Sequence, residues 1–352
     1  MVEVRTSVFD FDFPPSFQNL LAEKWNISQL YPPQSEAIIP ILDGKNTLVA
    51  IPTASGKSLI AYMGIVHKIL IKEPKSKALY IVPLKALASE KYSELEEIGK
   101  ILGLNVGLSI GDREGATKSL SELDILVCTS EKMDSLMRGN SGFLDDVSIV
   151  VADEVHLIQD STRGPTMEVN LTKVKYWKDD VQIIALSATI GNAEEVAKWL
   201  DAELIQSDWR PVTLEQSTVV NLEIEPRRLI SSSLNEDDDI LPPPRTIVGP
   251  VSAPTWAILR DTVESSGQLL IFVSTRKSAQ SEARRLSERL LKYLKKEDPG
   301  KLAKLEKISS DISTRLDDSS VSENLASAVR GGVAFHHAGL TSSYRKKIEE
   351  GF

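Results

Sequence analysis

Five short runs of Val, Ile, Leu and Ala recur in the first part of the chain, at 47–51, 78–82, 125–128, 148–152 and 182–186. They show no polar alternation, which suits strands covered on both faces, the usual situation of a parallel sheet. Stretches of helical pattern at 58–71, 86–102 and 193–200 lie between and after them. This alternation predicts an α/β domain with a parallel sheet and helices on both faces. Ligands of such sheets collect outside the carboxyl ends of the strands, so the strand exits carry the chemistry. In order, the five exits read IPTASGKS, PLKALASEK, TSEK, DEVH and SAT.

The rest of the composition narrows the class. With 352 residues and 41% hydrophobic content, two ordinary domains are expected and no membrane partner. No apolar run approaches the roughly 18 residues that span a bilayer, and MVEVRTSVFDFDF lacks a signal-peptide layout, so a cytoplasmic location is expected. A single cysteine, Cys128, lies in the run DILVC and reads as a small buried hydrophobe. The net charge of −9 argues against coating nucleic acid by bulk electrostatics, so any such site must be local.

After Trp209 the pattern changes. RPVTLEQSTVVNLEIE predicts paired short strands, and 231–254, rich in Ser, Asp and Pro with Pro242 to Pro244 consecutive, predicts a linker. A second α/β unit follows, with helix 255–265, strand 268–273, long helix 278–296 and strand 332–335, and a polar helical insertion between Glu297 and Ala328. The expected divisions are an N-terminal segment (1–30), a first domain (31–208), a strand pair with linker (209–254) and a second domain (255–352).

IPTASGKS follows a strand and opens a helix, the context a phosphate-binding loop requires. Backbone N–H groups of Ile51, Pro52, Thr53, Ala54, Ser55 and Gly56, proline excepted, and of the helix start can face phosphates. Lys57 can neutralise them and the Ser58 hydroxyl can ligate Mg²⁺. The strict pattern has Gly where Ile51 stands, and the bland alternative is a strand-to-helix turn. In DEVH, Asp153 suits Mg²⁺ and Glu154 suits orienting or deprotonating a water, although Asp-Glu after a strand is also ordinary helix capping. SAT, Ser187 to Thr189, is uninformative alone, since hydroxyl residues often end strands.

Taken in this order, the five exits resemble superfamily 2 helicases, DEVH being similar to their DExH box. The resemblance implies RecA-like P-loop NTPase architecture, a partial second RecA-like domain, and ATP with Mg²⁺ as cofactors. It also implies Lys57, Asp153 and Glu154 at the chemical centre, with Ser58 and Asp153 on the metal. Nucleotide contacts would come from Gln34, 51–58, Asp153, Glu154 and His156. Gln34 in LYPPQSEAI would read adenine through its amide, the alternative being that the prolines merely punctuate a helix start. Phe17 reads as a core aromatic. Ser187, Ala188 and Thr189 would couple ATP state to nucleic-acid grip.

The same resemblance assigns the sugar-phosphate backbone of one strand to Pro83, Leu84, Lys85, Gly111, Asp112, Thr129, Glu131, Lys132 and Arg163, with Thr275 and Arg276 from the second domain. Hydroxyls, amides and a few cations suffice for that grip, which is compatible with an acidic chain. LYPPQ, IPTASGK, STRG, SDWRP, LIFVSTRKSA and VAFHHAGL are similar to the archaeal Hjm and HelQ repair helicases. This implies an ATP-dependent 3′ to 5′ DNA helicase acting as a monomer on single-stranded or forked DNA, with a Ski-type RNA helicase or a non-hydrolysing nucleic-acid-binding fragment as alternatives. His336 and His337 read as helix-start or core histidines. The family's pattern continues past VAFHHAGL with an arginine-rich helix, and no GRxGR-like string occurs here. A truncated second domain is therefore expected, with nucleotide binding outlasting hydrolysis, because loss of a transition-state arginine costs about a thousandfold in rate.

Overall fold

The computed structural model describes residues 6–110, 113–114, 120–138, 142–177, 180–230, 241–314, 320–337 and 339–352. The chain separates into two compact units, one holding the residues up to Glu215 and the other holding Gln216–Arg228 and Leu241–Phe352.

The first unit is built on eight strands: β1 (Thr47–Ala50), β2 (Lys77–Val82), β3 (Val106–Ile110), β4 (Arg113–Glu114), β5 (Ile125–Thr129), β6 (Val147–Ala152), β7 (Gln182–Ser187) and β8 (Glu203–Gln206). Their order is β4-β3-β5-β2-β6-β7-β1-β8, and every neighbouring pair is parallel except β3 with β4. Five of these strands coincide with the apolar runs. β3, β4 and β8 were not expected from sequence.

Side chains alternate across the sheet. Val49, Tyr80, Val127, Val151 and Ile184 join one core cluster, and Leu48, Leu79, Leu126, Val150 and Ile183 join another. The first cluster is covered by α1 (Pro15–Asn19), α2 (Pro32–Leu42), α3 (Lys57–His67) and α4 (Lys85–Leu102), contributing residues such as Phe17, Ile38, Ile60 and Leu95. The second is covered by α5 (Ser130–Arg138), α6 (Gly164–Trp177) and α7 (Ala193–Leu200), through Met133, Leu171 and Val196 among others. Both faces are therefore sealed, which explains why the central strands are mostly apolar, with most of their polar residues at or next to the strand ends. Phe17 is fully buried, edge-on to Phe13 with ring centroids 5.5 Å apart, so the segment before α2 is part of this core.

Most of a three-stranded sheet falls in the second unit: β9 (Leu214–Val220), β10 (Glu223–Ile230) and β11 (Arg245–Thr246), ordered β11-β10-β9. β11 pairs antiparallel with β10, so part of the expected linker is sheet, while 231–240 lie outside the described residues. Five helices follow: α8 (Pro254–Glu264), α9 (Arg276–Glu297), α10 (Pro299–Thr314), α11 (Ser320–Arg330) and α12 (Ser342–Gly351). Leu286, Leu290 and Leu294 of α9 pack with Leu259 of α8. Ala283 of α9 joins Ile312, Leu325, Val329, Phe335 and Tyr344 in a second cluster.

The expected strands at 268–273 and 332–335 are not formed. A strand exists only through its ladder, and neither run pairs with a described strand. The run 270–273 is correspondingly uncovered, Phe272 being 88% exposed.

Gly64 of α3 marks the tightest helix-to-sheet approach near the site. A methyl group there would stand 2.7 Å from both Ile184 Cδ1 of β7 and Ile41 Cγ2 of α2. Replacing it by valine overpacks this junction, and Gly64→Val is expected to lose about 1–3 kcal/mol of stability, read as a lowered urea midpoint.

Candidate nucleotide site and the strand exits around it

The strand order fixes where the exits fall. β7 lies between β1 and β6, so the loops after β1 and β6 emerge about 10 Å apart with the β7 exit between them, at the usual ~4.8 Å per strand. The loop after β1 is closed onto β7 by the Ile51 amide donating to the Ser187 carbonyl at 3.3 Å. It then turns through two left-handed residues, Ala54 (φ 67°) and Gly56 (φ 71°), before α3 starts at Lys57. Gly56 has no substitute: besides its φ, a Cβ there would sit 2.3 Å from Gln34 Nε2.

Lys57 is 8% exposed, and its ammonium donates to the carbonyls of Ile51 (3.0 Å) and Pro52 (3.2 Å). Burial lowers its proton affinity below that of an ordinary lysine, against an opposing pull from Glu154 and Asp153. The structure thus brings together the lysine and both carboxylates. Asp153, 5% exposed, receives the Tyr80 hydroxyl on Oδ2 at 2.8 Å and the Glu154 amide on Oδ1 at 2.9 Å. Its carboxyl pKa is pushed above the ordinary 3.8 by burial, which the Tyr80 bond opposes.

Glu154 adopts the left-handed conformation, φ 55° and ψ 42°, a strained state for a non-glycine residue worth about 1–3 kcal/mol. The strain turns the chain sharply into the 3₁₀ segment Val155–Gln159. Its buried Oε2 receives no hydrogen bond. His156 Nδ1 lies 3.2 Å from that oxygen but accepts the Ala188 amide at 3.4 Å, so the ring links the β6 exit to the β7 exit. Ser187 is buried, with its hydroxyl donating to the Ala188 carbonyl at 2.7 Å, while Thr189 is exposed.

Gln34 is 2% exposed, and its amide is committed to backbone. Oε1 accepts from the Tyr31 amide at 2.7 Å, and Nε2 donates to the carbonyls of Ser55 (3.1 Å) and Gly56 (3.0 Å). Both of its N–H donors are spent on the loop after β1. Beside the base-reading role expected from sequence, the geometry makes Gln34 a latch between LYPPQ and the loop. The same latch carries residues that reasoning did not single out. Ser55 donates to the Trp209 carbonyl at 3.5 Å, the Trp209 ring lies 4.8 Å from that of Tyr31, and the Arg210 charge bears on Lys57. SDWRP stood out only as a string, without a signal of where it packs.

The other exits occupy the opposite half of the same edge. Val82 and Thr129 are register partners on β2 and β5, so Pro83, Leu84 and Lys85 emerge beside Thr129, Glu131 and Lys132. Pro83 is buried, Leu84 and Lys85 are exposed, and the Thr129 hydroxyl receives the Lys132 amide at 3.4 Å, capping α5. Arg163 is exposed and its amide is held by Asp160 at 2.9 Å. Gly111 and Asp112, at the β3 exit, lie outside the described residues. In the second unit, Thr275 caps α9 by accepting the Ser278 amide at 3.0 Å, and Arg276 is exposed. His336 contacts Glu349 at 3.0 Å and His337 contacts Gln280 at 3.0 Å.

Residues 31–196 match the DEAD/DEAH box helicase family. Residues 31–196 therefore form a DEAD/DEAH box helicase domain. It is 44% identical over 331 residues to the ATP-dependent DNA helicase Hel308 of Methanocella arvoryzae, covering 93% of this chain and 42% of that protein. It is also 44% identical over 328 residues to Hel308 of Thermococcus kodakarensis, and 41% over 338 residues to Hel308 of Methanocaldococcus jannaschii. These alignments cover 93% and 94% of this chain and 26% of each relative. The chain thus spans less than half the length of these relatives. Membership of the family implies ATP use. Among the described residues, no helix is long and apolar enough to cross a membrane.

The residues at the β1, β6 and β7 exits fit a magnesium nucleotide on three observations. Ser58 and Asp153 offer the hard oxygens that Mg²⁺ prefers, Glu154 Oε2 is buried without a donor, and the first turn of α3 presents amides unbonded within the helix. Because Asp153 has a raised pKa, ionising it costs stability: the contribution is present below 3.8 and is lost as pH rises through the higher folded value. Asp153→Asn is therefore expected to raise the thermal midpoint of the nucleotide-free chain between about pH 5 and 8 while weakening Mg²⁺-dependent nucleotide binding. Differential scanning fluorimetry and calorimetric titration read the two effects.

Proposed function

We propose that this chain carries the nucleotide-binding part of an ATP-dependent 3′ to 5′ DNA helicase that acts on single-stranded or forked DNA. In this reading, 31–208 is the first RecA-like domain, preceded by a segment 1–30 and followed by a strand pair and linker (209–254) and part of a second RecA-like domain (255–352). The observation that carries it is the convergence of buried Lys57 and Asp153 with half-buried Glu154 at one sheet edge, in a chain 44% identical to proteins named as ATP-dependent DNA helicases.

Each residue contributes by what it can do at its position. The loop 51–56 and the start of α3 supply amides and a positive helix end for phosphates. Lys57 leaves its loop carbonyls to meet negative charge, a move favoured because its ammonium is desolvated where it lies. Ser58 and Asp153 hold Mg²⁺, which when bound neutralises phosphate charge and aligns the terminal phosphate. Glu154, with a buried oxygen free of donors, orients and deprotonates the attacking water. Gln34 serves the nucleotide through the loop it latches, and His156 joins Glu154 to 187–189, the coupling segment. Lys85, Thr129, Lys132 and Arg163, with Thr275 and Arg276, bind phosphates of the strand without reading bases. The reading includes a monomer working in the cytoplasm.

ADP should bind in the presence of Mg²⁺, and Lys57→Ala should weaken it at least about tenfold, as loss of a hydrogen-bonded charge does. Single-stranded DNA should tighten binding of a non-hydrolysable ATP analogue more than RNA of equal length does. Fluorescence titrations decide: an equal or larger effect of RNA points to a Ski-type RNA helicase, and indifference to both removes nucleic acid from the reading.

A further inference from the structure

Tyr80 is fully buried in β2, in a run whose other members are aliphatic or small, Lys77 at its start excepted. A buried phenol needs partners for its oxygen, and this one has two of a particular kind. It donates to Asp153 Oδ2 at 2.8 Å, and the Ser58 hydroxyl lies near both it and the Tyr62 hydroxyl. Asp153 and Ser58 are the two oxygen groups suited to Mg²⁺. They come from different elements, the β6 exit and the second residue of α3.

The chemistry of the three groups is complementary. A serine hydroxyl that ligates a cation must turn a lone pair to the metal and its proton elsewhere, and the Tyr80 oxygen can accept that proton. A carboxylate that ligates with one oxygen is oriented by a donor on the other, and the Tyr80 hydroxyl supplies it. One phenol can thus set the rotation of Ser58 and the plane of Asp153 together. The phenol is itself fixed, since its ring packs against Tyr62 at 6.0 Å between centroids. The Tyr62 hydroxyl in turn bonds Glu94 of α4.

We propose that Tyr80 is a positioning residue for the metal: it aligns Asp153 and Ser58 as a pre-set pair of oxygen ligands without touching nucleotide or metal itself. The inference rests on the magnesium-nucleotide reading of this site. Tyr80→Phe removes one oxygen atom and keeps the ring, so the nucleotide cradle persists while the alignment of the two ligands is lost.

The test is binding of ADP to the full 352-residue chain, measured by calorimetry in EDTA and in excess Mg²⁺. In wild type, Mg²⁺ should tighten ADP. In Tyr80→Phe, that Mg²⁺-dependent gain should fall about tenfold, the scale of one hydrogen bond to a charged group, while affinity in EDTA stays within about twofold. Tyr92→Phe, which removes a phenol hydroxyl that bonds Glu96 and neither ligand, should keep the wild-type ratio. Should the phenylalanine variant not fold by circular dichroism, Tyr80→Met fills the volume without a hydroxyl and repeats the measurement. An unchanged ratio of the two affinities overturns the proposal, as does an equal loss in EDTA and Mg²⁺, which marks a change of pocket shape. Absence of ADP binding by wild type overturns the nucleotide reading instead, and the proposal with it.

Discussion

The arrangement that everything else in the first unit depends on is the burial of an ammonium, Lys57, and a carboxylate, Asp153, beside the half-buried Glu154 at the carboxyl edge of one parallel sheet. Desolvating such charges is costly, and only mutual proximity and hydrogen bonding make it tolerable. Lys57 is held by two loop carbonyls and by the field of Asp153 and Glu154, and Asp153 by a phenol and an amide. None of this helps the chain to fold. Asp153 is driven toward its neutral form by burial, and Glu154 is held in a strained backbone state. Cost concentrated on adjacent residues, in a unit whose two hydrophobic layers are otherwise sealed, is the physical signature of a site maintained for binding.

The sheet divides that edge into two halves. The nucleotide candidates leave β6, β7 and β1, and the nucleic-acid candidates leave β5 and β2. β2 and β6 are neighbours, so the boundary runs between them. Tyr80 lies on the β2 side and bonds Asp153 on the β6 side, two residues before β2 ends at Val82. Through that bond, and through the Asp153 amide donating to the Ile81 carbonyl at 2.8 Å, the strand whose exit presents Lys85 is tied to the carboxylate suited to metal. A displacement of β2 along its axis would move both together, because strands in a parallel ladder cannot slip without breaking several bonds.

What the sequence made legible follows from burial. β1, β2, β5, β6 and β7 read clearly because each is covered on both faces. β3 has glycine and serine in its run and alternates in burial, and β8 is an edge strand with one fully buried residue, so neither left a continuous apolar signal. Lys57, Asp153 and Glu154 stood out in the sequence because phosphate and metal chemistry calls for those residue types beside strand exits, and they do lie at those exits. Gln34 stood out as a base reader, whereas its bond to the loop depends on a contact 21 residues away that no local pattern encodes. Tyr80 did leave a trace, as the one aromatic with a polar tip in KALYIV, and a buried hydroxyl in such a run is a request for a partner. The run 270–273 failed as a strand for the opposite reason: its composition suits burial, yet among the described residues nothing bonds its backbone.

His156 shows how little machinery is needed to let one exit sense another. Its Nδ1 faces Glu154 Oε2 at 3.2 Å and the Ala188 amide at 3.4 Å. A lone pair on that nitrogen can satisfy the amide, and a proton on it can satisfy the carboxylate, but never both at once. In the present arrangement the amide is served and the carboxylate oxygen is left without a donor, which suits an oxygen that must act on something else. Any event that supplies Glu154 with a donor removes the competition for the ring. Any event that withdraws the Ala188 amide frees the ring to turn toward Glu154. One ring nitrogen is thus shared by the two exits and can serve only one of them at a time.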